Sequence, residues 1–152
     1  MRLRQRPRRA PHGQAGVGLI EVLIAILIMA VGMLGIAAMQ ATALRNSQSS
    51  LDRSQAVIEA YSILDAMRAN RDKAIAGDYN IAMSTACAGP TGATQAALDL
   101  TNWRTQIQNL LGDTACGAVV QNGHDFTVTM RWDDSRGNAG KLAETIVTRT
   151  QL

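Results

Sequence analysis

The sequence predicts an α+β chain in which a long N-terminal helix, half of it membrane-crossing, packs on a small antiparallel β-sheet head. Three observations predict it. From Val17 to Met39, 19 of 23 residues are apolar, whereas the 152-residue chain as a whole is 47% hydrophobic. From Gln40 to Asn70 there is neither proline nor glycine. Beyond residue 117, short alternating and β-branched segments are separated by turn signals.

The charges are as uneven as the apolar residues. Arg2, Arg4, Arg6, Arg8 and Arg9 supply five of the 15 basic residues, and the first acid is Glu21. Without residues 1–16 the chain keeps ten Lys/Arg against 12 Asp/Glu, so the net charge turns from +3 to −2. The basic balance therefore belongs to the start of the chain and is a poor argument for nucleic-acid binding. The length excludes a multidomain enzyme, and 3% aromatic residues are too few for a base-stacking surface.

Val22–Met39 carries no charge. Its 18 residues, at about 1.5 Å rise each, come close to the hydrocarbon thickness of a bilayer. Retention of arginines on the cytoplasmic side places the leader inside and everything after Gln40 outside. Two processing routes compete. A secretory signal would be cut after the apolar core, at Ala41-Thr42-Ala43, and would release a soluble protein. The other route cuts before the core, at Gly16-Val17, and keeps it. The length of the core and the acid at Glu21 favour the second.

Gly16-Val17-Gly18-Leu19-Ile20-Glu21, followed by the apolar run, resembles the prepilin signature of type IV pilins and type II secretion pseudopilins. The match rests on a basic leader, a glycine, an apolar first mature residue and a glutamate four residues later. Gly18 stands where the family often has Thr or Ser, and Val17 where it most often has Phe. The resemblance implies cleavage between Gly16 and Val17 by prepilin peptidase, N-methylation of Val17, and an assembly role for Glu21. That carboxylate would pair with a positive chain terminus as the helix leaves lipid for a filament, since two partly desolvated charges both gain from meeting. Snorkelling of Glu21 to the headgroups is the plainer alternative. The resemblance divides the chain into a prepilin leader (1–16), a transmembrane and assembly half-helix (17–39), an amphipathic half-helix (40–72) and a periplasmic head (73–152).

The helix is expected to run from Val17 to about Asn70. Leu44, Leu51, Ile58, Tyr61, Leu64 and Met67 are read as one stripe for packing on the head, with Arg45, Gln48, Asp52, Arg53 and Glu59 opposite. Gly32 and Gly35 are its weak points, at about 1 kcal/mol each relative to Ala. Lys73–Gly92 reads as loop, and Asp99–Gly112 as a short helix with Trp103, Ile107, Leu110 and Leu111 on one face. Strands are expected at Ala118–Gln121, Phe126–Trp132 and Glu144–Thr150, the first two joined through the Asn122-Gly123 turn.

Trp103-Arg104, Leu110-Leu111-Gly112 before Cys116-Gly117, Val128–Asp134 and Val31–Gly35 narrow the resemblance to PilV-type minor pilins. This implies residence in the bacterial inner membrane, with a cytoplasmic N-terminus and a periplasmic head, and in the pilus fibre or its tip after assembly. The implied partners are prepilin peptidase, other minor pilins, the major pilin, the pilus assembly platform and a tip adhesin. The implied role is priming of type IV pilus assembly in a minor-pilin complex. The alternatives are a type II secretion minor pseudopilin, a DNA-binding competence pilin, and a soluble periplasmic protein cut after Ala43. Residues 73–152 hold six Lys/Arg against seven Asp/Glu, a balance that argues against tracking phosphates.

On the exported side, Cys87 and Cys116 are read as a disulfide. A redox pair would prefer CxxC spacing, and zinc would need ligands beyond His12 and His124, the first of which lies in the leader. His124 is read as a turn residue, and Asp133 and Asp134 as solvated loop acids without EF-hand spacing. No nucleophile elbow, zinc-protease or phosphate-loop motif is present. The reading is of a non-enzyme that needs no cofactor and no metal.

Overall fold

A computed structural model describes residues 16–137 and 140–152. The fold is α+β and pilin-like: a long N-terminal apolar helix packed on a small three-stranded antiparallel sheet. The elements are α1 (Leu19–Ala69), α2 (Arg71–Ile75), α3 (Gln95–Leu111), β1 (Cys116–Asn122), β2 (Asp125–Trp132) and β3 (Glu144–Gln151). Residues up to Met39 form one unit and Gln40–Leu152 a second, so each is described by itself.

In the first unit, the apolar side chains of α1 face outward. Every large hydrophobic residue from Val17 to Met39 is exposed. The helix is long and apolar enough to cross a membrane, by length and composition.

The second unit has a core of its own. Ala56, Ala60, Ile63, Leu64 and Met67 of α1 meet Leu100, Trp103 and Ile107 of α3 and the inner row of β2, Phe126, Val128, Met130 and Trp132. The inner row is buried while Thr127, Thr129 and Arg131 alternate outward, as a half-buried strand requires. Strand order is β1-β2-β3, and both pairings are antiparallel. Gly123 and His124 form the two-residue connection from β1 to β2, with Gly123 at φ 64°, the positive value that short hairpin loops favour. Trp103 lies directly on β1 at Gly117: a Cβ there would sit 2.3 Å from the indole ring, so only glycine lets helix and strand close.

Of the stripe expected to pack on the head, only the last two residues do so. Leu44, Leu51, Ile58 and Tyr61 are 71%, 50%, 64% and 52% exposed, whereas Leu64 and Met67 are buried. The reason is angular. With 3.6 residues per turn, a step of seven falls about 20° short of two turns and a step of three about 60° short of one. The series Leu44 to Met67 therefore walks more than half-way round the helix instead of following one side. The azimuth of the core is shared by Ser49 and by two residues read as the opposite face, Arg53 and Glu59. Ser49 donates to Asp134 Oδ2 at 2.7 Å, Arg53 pairs with Glu144 at 3.0 Å, and Glu59 is buried. The loop acid Asp134 is thus tied to α1 rather than solvated.

Two boundaries differ from expectation for local reasons. α3 starts at Gln95 because Thr94 caps it, its hydroxyl accepting from Ala97 N at 3.2 Å. Part of the expected Lys73–Gly92 loop is helical, since α2 continues to Ile75. Leu110, placed on the apolar face of α3, is 44% exposed, while Trp103, Ile107 and Leu111 are buried.

Candidate functional site

Gly16 and Val17, the residues expected to flank the cut, are exposed and outside regular secondary structure, just ahead of α1. The arginines of the leader, within Met1–Ala15, lie outside the described residues. Gly18 closes the start of the helix: its carbonyl accepts from Glu21 N at 2.9 Å and from Val22 N at 3.3 Å. Glu21 consequently lies in the first turn, where the unpaired amide groups of a helix terminus favour a negative charge.

Val17, Glu21, Ala25 and Met29 follow one another at intervals of four, and with Val22 and Ile26 they line a shallow crease of about 320 Å³. Glu21 is the polar member of an otherwise apolar face. Its carboxylate has no hydrogen-bond or ion-pair partner among the described residues. The arrangement presents one acceptor on an otherwise apolar helix face, which suits pairing with a cation.

Cys87 and Cys116 are bonded to each other, 29 residues apart in sequence and 5.3 Å apart between Cα atoms. Cys116 opens β1. Cys87 lies in the preceding loop with φ 48°, a left-handed conformation that a non-glycine residue pays for in backbone strain. Its amide donates to Ser84 Oγ at 3.1 Å.

Beside the disulfide, Arg104 of α3 is buried and donates only to backbone carbonyls. Nε and Nη2 reach Gly117 O at 3.0 and 2.8 Å, Nη2 also reaches Ala82 O, and Nη1 reaches Ala88 O. Each of Ala88 and Gly117 follows one of the two cysteines, so the guanidinium clamps the chain where the disulfide staples it. Burial lowers the pKa of Arg104 from its ordinary value, and the four hydrogen bonds offset part of the desolvation. In the sequence Arg104 stands out only as part of a resemblance; a lone arginine near the middle of an amphipathic helix carries no signal of burial.

Tyr79 likewise gives no such signal in the sequence. It is fully buried, donates to Asp99 Oδ2 at 2.6 Å and accepts from Asn70 Nδ2 at 3.2 Å, tying the loop after α2 to α3. Desolvation, then the bond to Asp99, push its pKa up to about 12. Glu59, expected opposite the packing stripe, is buried. Its Oε2 is buried without a partner among the described residues, and desolvation raises its pKa. The backbone carbonyl of the same residue accepts from Trp103 Nε1 at 2.9 Å.

Among the described residues no group of three or more His, Cys, Asp or Glu side chains is placed to hold a metal ion. His124 lies in the β1–β2 turn, its carbonyl accepting from Leu152 N at 3.3 Å.

No curated protein and no solved structure matches the chain. Residues 11–37 match the model of the prokaryotic N-terminal methylation motif, a prepilin-type motif that supports a type IV pilin-like protein.

Proposed function

We propose that the chain is a minor pilin that takes part in type IV pilus biogenesis, priming assembly within a minor-pilin complex near the pilus tip. One observation carries this reading: a methylation-motif N-terminus whose single acid, Glu21, sits on the exposed apolar face of α1 without a partner among the described residues. The motif's family is structural, not enzymatic. Prepilin peptidase cuts between Gly16 and Val17 and methylates the new amine. The helix then anchors the subunit in the inner membrane, with the leader side cytoplasmic and the head periplasmic. On extraction, Glu21 meets a positive N-terminus, its own or a neighbour's, and this pairing sets the axial register between subunits. Other minor pilins, the major pilin, the assembly platform and a tip adhesin are the partners in this scheme. The exposed apolar surface from Val17 to Met39 supports it, because water alone leaves that surface uncovered.

Deletion of the gene with a count of surface pili, repeated in cells whose pilus retraction is disabled, tests the reading. A priming role predicts few or no pili after deletion and recovered piliation once retraction is off. Unchanged pili together with a failure of protein secretion would instead favour a type II secretion minor pseudopilin.

A further inference from the structure

The two edges of the head sheet are finished differently. At β1, Ile81 forms a bridge to Val119, with reciprocal backbone hydrogen bonds of 2.9 Å that occupy part of that edge. At β3, no strand or bridge covers the outer edge among the described residues. β3 pairs with β2 over eight consecutive residues without a bulge, and it contains neither proline nor lysine. These are devices by which proteins close an edge to further pairing. The charges on β3 are Glu144, held at one end by Arg53, and Arg149.

The inner face is also unfinished on this side. Phe126, Val128, Met130 and Trp132 of β2 are buried, but their β3 neighbours Ile146, Thr148 and Thr150 are only half-buried. The outer row of β3 is Thr145, Val147, Arg149 and Gln151, all exposed. Arg149, and Arg131 on the same outer face of β2, have no hydrogen-bond or ion-pair partner among the described residues. The acid on that face is Asp125, opposite Gln151.

We propose that the β3 edge is a docking site for an extended strand of another protein chain. That strand carries acidic residues on its outward positions and β-branched or apolar residues on its inward positions. The backbone groups of β3 supply the pairing, as in strand addition to other open sheets. Inward side chains of the added strand cover Ile146, Thr148 and Thr150, and an outward carboxylate meets Arg149, since opposite charges directly across a strand pair are favourable. The acidic partner is favoured over a second copy of this chain because antiparallel pairing of two β3 edges brings outward positions together, where Arg149 finds no acid: Glu144 faces inward. The inference rests on the sheet alone and not on the pilus reading.

The test uses the full-length chain in detergent and three capped eight-residue peptides. One alternates valine and glutamate, one alternates valine and lysine, and the third is the first with two prolines that forbid strand pairing. The glutamate peptide is expected to bind at least tenfold more tightly than the lysine peptide and to slow amide exchange across β3. Arg149→Glu should reverse that preference, and Arg149→Gln, which keeps the stem and loses the charge, should abolish it. The proposal is overturned if the proline peptide binds as well as its parent or if neither peptide binds. It is equally overturned if binding leaves the β3 amides unprotected, or if the chain alone forms a dimer that Arg149→Glu disperses.

Discussion

Residues 17–39 and residues 40–152 dispose of their apolar surface in opposite ways. In the first region every large hydrophobic side chain points out, and the burial that stabilises it must come from lipid or from other helices. In the second, small residues at Ala56 and Ala60 let α3 and the sheet close on α1, and an apolar core is buried internally although single side chains such as Leu44 and Ile58 stay exposed. One helix thus carries two kinds of information. Its first half specifies an environment, and its second half specifies a fold. Substitutions in the two regions should therefore fail by different routes, which gives ways to break the comparison.

The largest effect is expected at Glu21. Glu21→Ala should abolish entry into pili while leaving cleavage, membrane insertion and the unfolding midpoint of the head unchanged. Normal incorporation, measured by blotting sheared fibres, would sink the assembly role of this carboxylate. Next comes the staple. Replacing both cysteines, Cys87→Ser with Cys116→Ser, should cost the head about 3–4 kcal/mol through the freed loop of the unfolded chain. Denaturant unfolding of the full chain in detergent reads this, and an unchanged midpoint would mean that Arg104 holds the loop unaided.

The smallest effect is expected at Glu59. A carboxyl whose folded pKa is raised binds its proton more tightly in the folded state than in the unfolded one. Its contribution to stability is therefore fully present below the ordinary value of 4.5 and is lost as pH rises through the higher folded value. Glu59→Gln removes the charge, so it should stabilise the head at pH 7 by about 1 kcal/mol, the scale of an unsatisfied buried group. The gain should vanish below pH 4.5. A gain that is independent of pH would show that the charge is not its source.

What could be read in the sequence follows the same division. α1 was expected from Val17 to about Asn70 and runs Leu19–Ala69, because an uninterrupted apolar run followed by a segment free of proline and glycine leaves the backbone no other use. β2 was legible from Phe, Val, Met and Trp at alternate positions, and the hairpin from Asn122-Gly123. The packing face of α1 was not. The bulky residues Leu44, Leu51 and Ile58 stay exposed, whereas close approach depends on the small side chains of Ala56 and Ala60. Glu59, Arg104 and Asp134 were out of reach for a related reason. Burial of a charged side chain is decided by which backbone carbonyls, hydroxyls or apolar walls surround it, and these arrive from segments 13 to 85 residues away in sequence. The crease at Glu21 lies at the other extreme, since residues spaced by four on one helix become neighbours by geometry alone.

The central claim is that the apolar half of α1 belongs to the working protein and that the chain is trimmed just ahead of it. Mass spectrometry of the native protein reads this directly. The account predicts a mature chain that begins at Val17, carries a methylated amine and retains the helix through Met39. A chain that begins at Leu44, with the helix start removed, would contradict it.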